Sequence, residues 1–109
     1  MNYKKIYTLD EIKNIAQPVF ASYDSIERAY LFGSYARNEA TRKSDLDFMV
    51  ALKDDELESL KDELRVLTDL MEAFDKHVDT INNFEVYKIM PKTFERDKIL
   101  IYEKHNKSK

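Results

Sequence analysis

The sequence predicts an α/β layer fold, and three observations support this prediction. Helical and extended apolar patterns alternate in the order helix, strand, turn, strand, long helix, strand, short helix, strand. The run Ala29–Phe32 is continuously apolar, as in a buried central strand. Gly33, the only glycine, ends that run. With 109 residues the chain is expected to form one domain over 1–109, with a core at about 8–103 and a frayed polar tail at 104–109.

The first helix has a clear start signal. Thr8 and Glu11 have the spacing of a capping box, in which each side chain accepts a hydrogen bond from the other residue's backbone. Apolar residues from Leu9 to Phe20 then recur with helical spacing. Pro18 removes one backbone hydrogen bond, so a kink or an early end is expected in the last turn.

Two strands with a polar connection follow this helix. Ile26–Phe32 predicts the first strand, and Leu46–Leu52 predicts the second. Between them, Ser34–Asn38 can form one short helical turn and Glu39–Lys43 reads as a polar loop.

The longest helix is expected after the second strand. The acids at 54–56 would lie at its positive N-terminus, where negative charge is favourable. Six apolar residues alternate at spacings of three and four, which predicts one face packed on the sheet rather than a short coiled coil. The predicted core face is Leu57, Leu60, Leu64, Leu67, Met71 and Phe74.

Three shorter elements complete the prediction. His77–Ile81 predicts a third strand, and the two asparagines after it predict a turn or a helix cap. Phe84–Met90 predicts one or two helical turns that Pro91 ends. The last strand is expected at Lys98–Tyr102, with alternate residues on opposite faces, Ile99 and Ile101 on one and Leu100 and Tyr102 on the other.

Composition excludes several kinds of protein. The chain has no cysteine, which rules out disulfides and cysteine-based zinc sites and favours the cytoplasm. Its 18 basic and 21 acidic residues give a net charge of -3, so no direct nucleic-acid binding is expected. No apolar run reaches the length of a signal peptide or a membrane span, so no membrane association is expected.

Three carboxylates form a candidate metal site. Asp45 and Asp47 flank Leu46, so both point to the same side of the second strand. Carboxylates with nucleotide phosphates and waters are the usual ligands of Mg²⁺. Asp79 can complete a triad if its strand lies beside the second one, and such a triad can hold two ions. Taken alone, the Asp-x-Asp pair could equally be a solvated strand end.

The turn at Gly33-Ser34 is a candidate phosphate-binding element. Its backbone N–H groups and the Ser34 hydroxyl can hold anions, although Ser34 could simply cap a helix. Arg37 could neutralise phosphate charge or pair with a local acid. Because the turn and the Asp-x-Asp pair lie on consecutive strands, both are interpreted as one nucleotide site. His77 is left out, since lone histidines at strand entrances are usually structural or exposed.

These residues resemble a known family. Gly33-Ser34 followed by Asp45-x-Asp47, with Tyr35-Ala36-Arg37 between them and Ser44 just before, is similar to the minimal nucleotidyltransferase (MNT) proteins of the polymerase-beta-like superfamily. The resemblance implies the nucleotidyltransferase fold, a small mixed β-sheet flanked by helices. It implies that Asp45, Asp47 and Asp79 are catalytic and hold Mg²⁺, and that Gly33 and Ser34 bind phosphates. Asn38 replaces the glycine common in that family, and asparagine tolerates the left-handed backbone that such a turn requires.

The family also implies a role. MNT proteins commonly act as antitoxins of HEPN-domain ribonuclease toxins, and active members transfer AMP from ATP to a toxin tyrosine. The short chain has no room for an acceptor domain after Tyr102, so the acceptor is expected on another protein. Two alternatives stay open: an antitoxin that acts by binding alone, and a nucleotidyltransferase that acts on a small-molecule hydroxyl.

Overall fold

A four-stranded mixed sheet with helices on both faces makes up residues 5–105, which this computed structural model describes. The elements in chain order are α1 Leu9–Ala21, β1 Ile26–Phe32, β2 Leu46–Leu52, α2 Leu57–Phe74, β3 Val78–Asn82, α3 Asn83–Ile89, α4 Pro91–Asp97 and β4 Ile99–Glu103. The strand order is β3-β2-β1-β4, with β3 parallel to β2 and the other pairs antiparallel. The predicted α/β class and mixed sheet are therefore confirmed.

The sheet separates two apolar clusters. Helices α1 and α2 cover one face, where the larger cluster includes Phe20, Phe48 and Phe74, all fully buried. Helices α3 and α4 cover the other face, where Val86 and Phe94 pack against residues of β1 and β2. A central sheet with helices on both faces buries β1 and β2 on both sides, which explains their nearly continuous apolar sequences.

Helix α1 does not end early at Pro18, which was one of the two outcomes expected of this proline. The capping box at its N-terminus is present, with Glu11 N–H donating to Thr8 Oγ1 at 3.1 Å and Thr8 N–H donating to Glu11 Oε1 at 2.8 Å. The helix continues through Pro18 to Ala21. Three side chains of α1 that face the sheet are fully buried: Ile12, Ala16 and Phe20. Their packing on the sheet outweighs the one backbone hydrogen bond that Pro18 removes.

The predicted core face of α2 is wrong over its first half. Leu57 and Leu64 are each 66% exposed, whereas Val66 and Leu70 are fully buried. The predicted leucine series repeats every 3.5 residues, and a 3.5-residue repeat drifts by about 20° per heptad around a straight helix of 3.6 residues per turn. The series therefore begins on the solvent side of α2, its later members Leu67 and Met71 pack against the larger cluster while partly buried, and Phe74 is fully buried.

Two differences appear after β3. Pro91 does not only end a helix: it occupies the first turn of α4, a position where its missing N–H costs nothing, and this helix was not predicted. In β4, Ile99 and Ile101 pack on the larger cluster as expected, but Tyr102 packs there too. A register irregularity between Ala29 and Tyr30 in the β1–β4 pair breaks the simple alternation of faces.

The beginning of the predicted polar tail is attached to the fold. Lys104 N–H donates to the carbonyl of Glu27 at 2.8 Å, and its ammonium group donates to Asp24 Oδ1 at 2.8 Å. The tail was expected to be frayed from residue 104, and that expectation is wrong for Lys104. Residues 106–109 of the predicted tail lie outside the described residues. Within residues 5–105, no helix has the length and apolar character needed to cross a membrane.

Candidate active site

The parallel pairing of β2 with β3 brings the predicted carboxylates together. Asp47 lies opposite Asp79 in this register, and Leu46 lies opposite Val78. Asp45 and His77 each precede their strand by one residue, so the two motifs Asp45-x-Asp47 and His77-x-Asp79 run side by side. One ligand atom from each of Asp45, His77 and Asp79 lies within 4.8 Å of the others, as in a potential metal site.

Gly33 brings the turn after β1 against the carboxylate of Asp47. Its φ of +78° lies in the left-handed region that favours glycine. A Cβ at this position would collide with Asp47 Oδ2 and approach Asp47 Cγ to 3.2 Å. Only glycine therefore allows the backbone to turn here and to lie directly against the Asp47 carboxylate.

The segment after Gly33 is a single hydrogen-bonded turn. Arg37 N–H donates to Gly33 O at 3.1 Å, and Glu39 N–H donates to Ser34 O at 2.9 Å. Asn38 has φ of 60°, so the expected left-handed conformation is confirmed. The turn is anchored because the Tyr35 side chain is buried in the larger cluster. No regular helix forms at Ser34–Asn38. This turn can therefore bind an anion through its local backbone N–H groups but not through a helix dipole.

The carboxyl group of Asp47 lies in an environment that disfavours its ionised form. Partial burial, the largest cause, and the negative charges of Asp79 and Asp45 together raise its pKa from 3.8 to about 6. The charges of His77 and Arg37 act against this increase. Without a cation, ionised Asp47 is therefore unfavourable, and a bound cation would relieve both the repulsion and the lost hydration.

Arg37 is held at the edge of the site by two acids. Its Nη1 donates to Asp97 Oδ2 at 2.7 Å, and its Nε donates to Glu39 Oε1 at 2.9 Å. The Asp97 side chain is only 2% exposed and also accepts from Arg96 Nε at 2.8 Å. Hydrogen bonds from Arg96 and Arg37 lower the pKa of Asp97 despite its burial. Of the two alternatives for Arg37, pairing with acids is observed, and its guanidinium is still close enough to influence Asp47.

The loop that leads into Asp45 is fixed from the α2–β3 connection. The buried Lys76 ammonium donates to the carbonyl of Arg42 at 2.8 Å. Leu46 N–H donates to His77 O at 3.1 Å, which joins the first residue of β2 to the residue before β3. Within the loop, Thr41 N–H donates to Ser44 Oγ at 2.8 Å. These bonds hold the Asp45 and His77 backbones beside each other.

The sequence prediction placed the three aspartates and the turn correctly in one region, but it missed His77, Lys76 and Asp97. His77 could have been found, because His77-x-Asp79 repeats the spacing of Asp45-x-Asp47 on a strand expected to lie alongside. Lys76 and Asp97 gave no such signal. Their contacts are 34 and 60 residues away in sequence and depend on the tertiary fold.

A carboxylate cluster on two neighbouring strands, beside a glycine turn that can receive phosphates, is the kind of site that metal-dependent nucleotidyl transfer requires. Residues 13–107 match the model of the polymerase beta nucleotidyltransferase family. The chain belongs to this family and is a nucleotidyltransferase. The resemblance to the polymerase-beta-like nucleotidyltransferases is thereby confirmed.

Known proteins give three further comparisons. A Methanocaldococcus jannaschii protein named as a protein adenylyltransferase, MJ0435, is 34% identical over 92 residues, which are 84% of this chain and 90% of that protein. A toxin–antitoxin complex solved with AMP-PNP contains a chain with a TM-score of 0.69 and 19% identity, covering 85% of this chain and 74% of that one. A complex of tri-AMPylated Shewanella oneidensis HEPN toxin with MNT antitoxin gives a TM-score of 0.65 and 16% identity, covering 89% and 74%. The two structural matches establish a shared fold.

The residues present fit what the fold implies, a nucleotide substrate and a divalent metal. Asp45, Asp47 and Asp79 offer oxygen ligands, which Mg²⁺ and Mn²⁺ prefer. The raised pKa of Asp47 is itself a sign of fit, since it results from partial burial and from the negative charges of Asp79 and Asp45, and the opposing charges of His77 and Arg37 do not cancel these effects.

Proposed function

We propose that this chain is an antitoxin that transfers AMP from ATP to a tyrosine of a partner HEPN ribonuclease toxin and so neutralises it. The carrying observation is the convergence of Asp45, Asp47 and Asp79 beside the Gly33 turn. The name of the M. jannaschii relative supports protein adenylylation, and the fold match to an MNT antitoxin bound to an AMPylated HEPN toxin supports the partner.

In this proposal each predicted residue has a role. Asp45, Asp47 and Asp79 hold Mg²⁺, with two ions expected, and Gly33 and Ser34 receive the phosphates of ATP. Bound Mg²⁺ would supply charge neutralisation at the phosphates and lower the pKa of the attacking hydroxyl. Arg37 contributes positive charge at the edge of the site, from a position set by Asp97 and Glu39.

The reaction is a displacement at the α-phosphorus of ATP. The tyrosine Oη forms a bond to this phosphorus, while the bond from the phosphorus to the oxygen bridging to the β-phosphate breaks, and pyrophosphate leaves. The phenolic proton passes to a site carboxylate or to water. Asp79 is suited to receive it because its side chain is 60% exposed at the edge strand β3, where an acceptor from another protein can approach.

The test is transfer of label from α-³²P-ATP to a HEPN partner in the presence of Mg²⁺. The wild-type chain is expected to label the partner, and Asp45→Asn is expected to abolish labelling because one ligand of the site is lost. Asp55→Asn is the matched control: it makes the same chemical change at an exposed position before α2 and should keep full activity. Absence of labelling by the wild type with both Mg²⁺ and Mn²⁺ would refute the enzymatic proposal.

Two related assays test the alternative functions, which are toxin neutralisation by binding alone and nucleotide transfer to a small molecule. Full protection of cells from the toxin by the Asp45→Asn/Asp47→Asn double variant would favour an antitoxin that acts by binding alone. Nucleotide transfer to a small hydroxylated acceptor without any protein partner would favour the small-molecule activity. The proposal expects neither result.

A further inference from the structure

His77 lies within the carboxylate cluster, although the sequence analysis left it out of the predicted site. Its Nε2 is 3.4 Å from Asp79 Oδ1 and 4.0 Å from Asp45 Oδ2. Ligands about 2.1 Å from one ion are separated by about 3.0 Å when adjacent and about 4.2 Å when opposite in an octahedral site. The two distances at His77 lie between these limits, so one cation could contact all three groups after small side-chain rotations.

The position of His77 is fixed by the fold rather than by a flexible loop. Its carbonyl accepts a hydrogen bond from Leu46 N–H at 3.1 Å, and the next residue begins β3. Because β3 is parallel to β2, His77 and Asp79 repeat on β3 the arrangement of Asp45 and Asp47 on β2. The strands therefore present an array of three carboxylates and one imidazole.

We propose that His77 binds the active-site cation through Nε2 and that this ligand makes the site favour Mn²⁺ over Mg²⁺. An imidazole nitrogen is a poor ligand for Mg²⁺, which prefers oxygen. Mn²⁺ is also bound mainly by oxygen, but as a first-row transition metal it gains more from one nitrogen ligand than Mg²⁺ does. A site of carboxylates alone would not make this distinction to the same degree. The inference rests on the proposed function, since it assigns a further ligand to the same metal site.

The direct test is pulsed EPR of Mn²⁺ bound to the full chain, which detects a directly coordinated ¹⁴N nucleus. The wild type is expected to show this nitrogen coupling. His77→Asn should lose it, whereas His105→Asn should keep it, and these are the only two histidines in the chain. Absence of nitrogen coupling in the wild type, or its persistence in His77→Asn, would overturn the proposal.

A second measurement tests the metal preference. The Kd of Mn²⁺ is read from the EPR signal of the free ion, and the Kd of Mg²⁺ from its competition with Mn²⁺. His77→Asn should raise the Kd of Mn²⁺ by about tenfold or more and change that of Mg²⁺ by less than about threefold. An equal change for both metals would contradict the assignment, because general damage to the site would affect both.

These outcomes are independent of the antitoxin activity. Nitrogen coupling can be present in a chain that transfers no AMP, which would refute the proposed function alone. Labelling of a HEPN partner can occur with no nitrogen coupling, which would refute the role of His77 alone. Circular dichroism of His77→Asn should match the wild type, because this side chain is half exposed.

Discussion

Asp47→Asn is expected to stabilise the metal-free chain, although it removes a residue proposed to be essential. The pKa of Asp47 is raised from 3.8 to about 6 in the folded state, so the folded protein binds a proton more tightly here than the unfolded chain does. For a carboxyl shifted in this direction, stability falls as pH rises between the two pKa values. Asparagine has no charge to desolvate and should abolish this penalty.

The expected gain follows from the same two pKa values. At 1.36 kcal/mol per pKa unit, the penalty on the wild type is about 3 kcal/mol at about pH 7.5 and only about 1 kcal/mol at about pH 4.5. These are upper limits, because the part of the Asp47 side chain that remains exposed keeps some of its hydration.

The assay is urea unfolding in the presence of EDTA at both pH values, with Asp55→Asn as the control. Asp47→Asn should be more stable than the wild type at the higher pH, and most of the gain should disappear at the lower pH. Adding Mg²⁺ should then stabilise the wild type but not the variant, as expected for a ligand that binds only the folded state. No gain at the higher pH, or an equal gain at both, would refute the electrostatic interpretation of Asp47.

Three further substitutions test other parts of the structure. Gly33→Ala should lower the free energy of unfolding by at least about 1 kcal/mol and abolish nucleotide transfer, because it combines left-handed strain with a collision at the metal site; wild-type stability and activity would contradict this. Asp97→Asn should cost about 1–3 kcal/mol at neutral pH, through loss of its charged bonds to Arg96 and Arg37, and this cost should persist at about pH 4.5 and shrink only as pH falls below 3.8 and through the lowered pKa of Asp97. An undiminished cost in urea unfolding at about pH 2 would oppose it. Leu64→Gln should change stability by less than about 0.5 kcal/mol while Leu70→Ala costs about 2–5 kcal/mol, and similar costs would show that α2 is oriented differently.

Local sequence signals predicted most of the elements and the centre of the site. The capping box at Thr8, the left-handed Asn38 and the asparagine cap before α3 depend on residues within a few positions of each other, and each is present in the structure. Asp45 precedes β2 by one residue and Asp47 is its second residue, so their spacing of two alone predicted that both lie on one side. Asp79 required only the further assumption that β3 pairs with β2.

What the sequence did not reveal depends on longer-range packing. The leucine series of α2 looked like one face, but its 3.5-residue period drifts around the helix, and only the position of the sheet decides which part is buried. Tyr102 was expected on the sheet face opposite Ile99 and Ile101, but it packs on the same cluster as they do. The cause is the register irregularity in the pairing of β1 with β4, two strands that are distant in the sequence. The hydrogen bond between Arg37 and Asp97 joins residues 60 positions apart, and no local sequence pattern predicts that they pair.

The most direct test of the central claim is the intact mass of a HEPN partner purified after co-expression with this chain. With the wild type or Asp55→Asn, the partner is expected to carry the added mass of one or more AMP groups, and fragmentation should place them on tyrosine. With Asp45→Asn or Asp47→Asn, the partner should have its unmodified mass. An unmodified partner with the wild type, or equal modification with the site variants, would contradict the assignment of these carboxylates to nucleotide transfer.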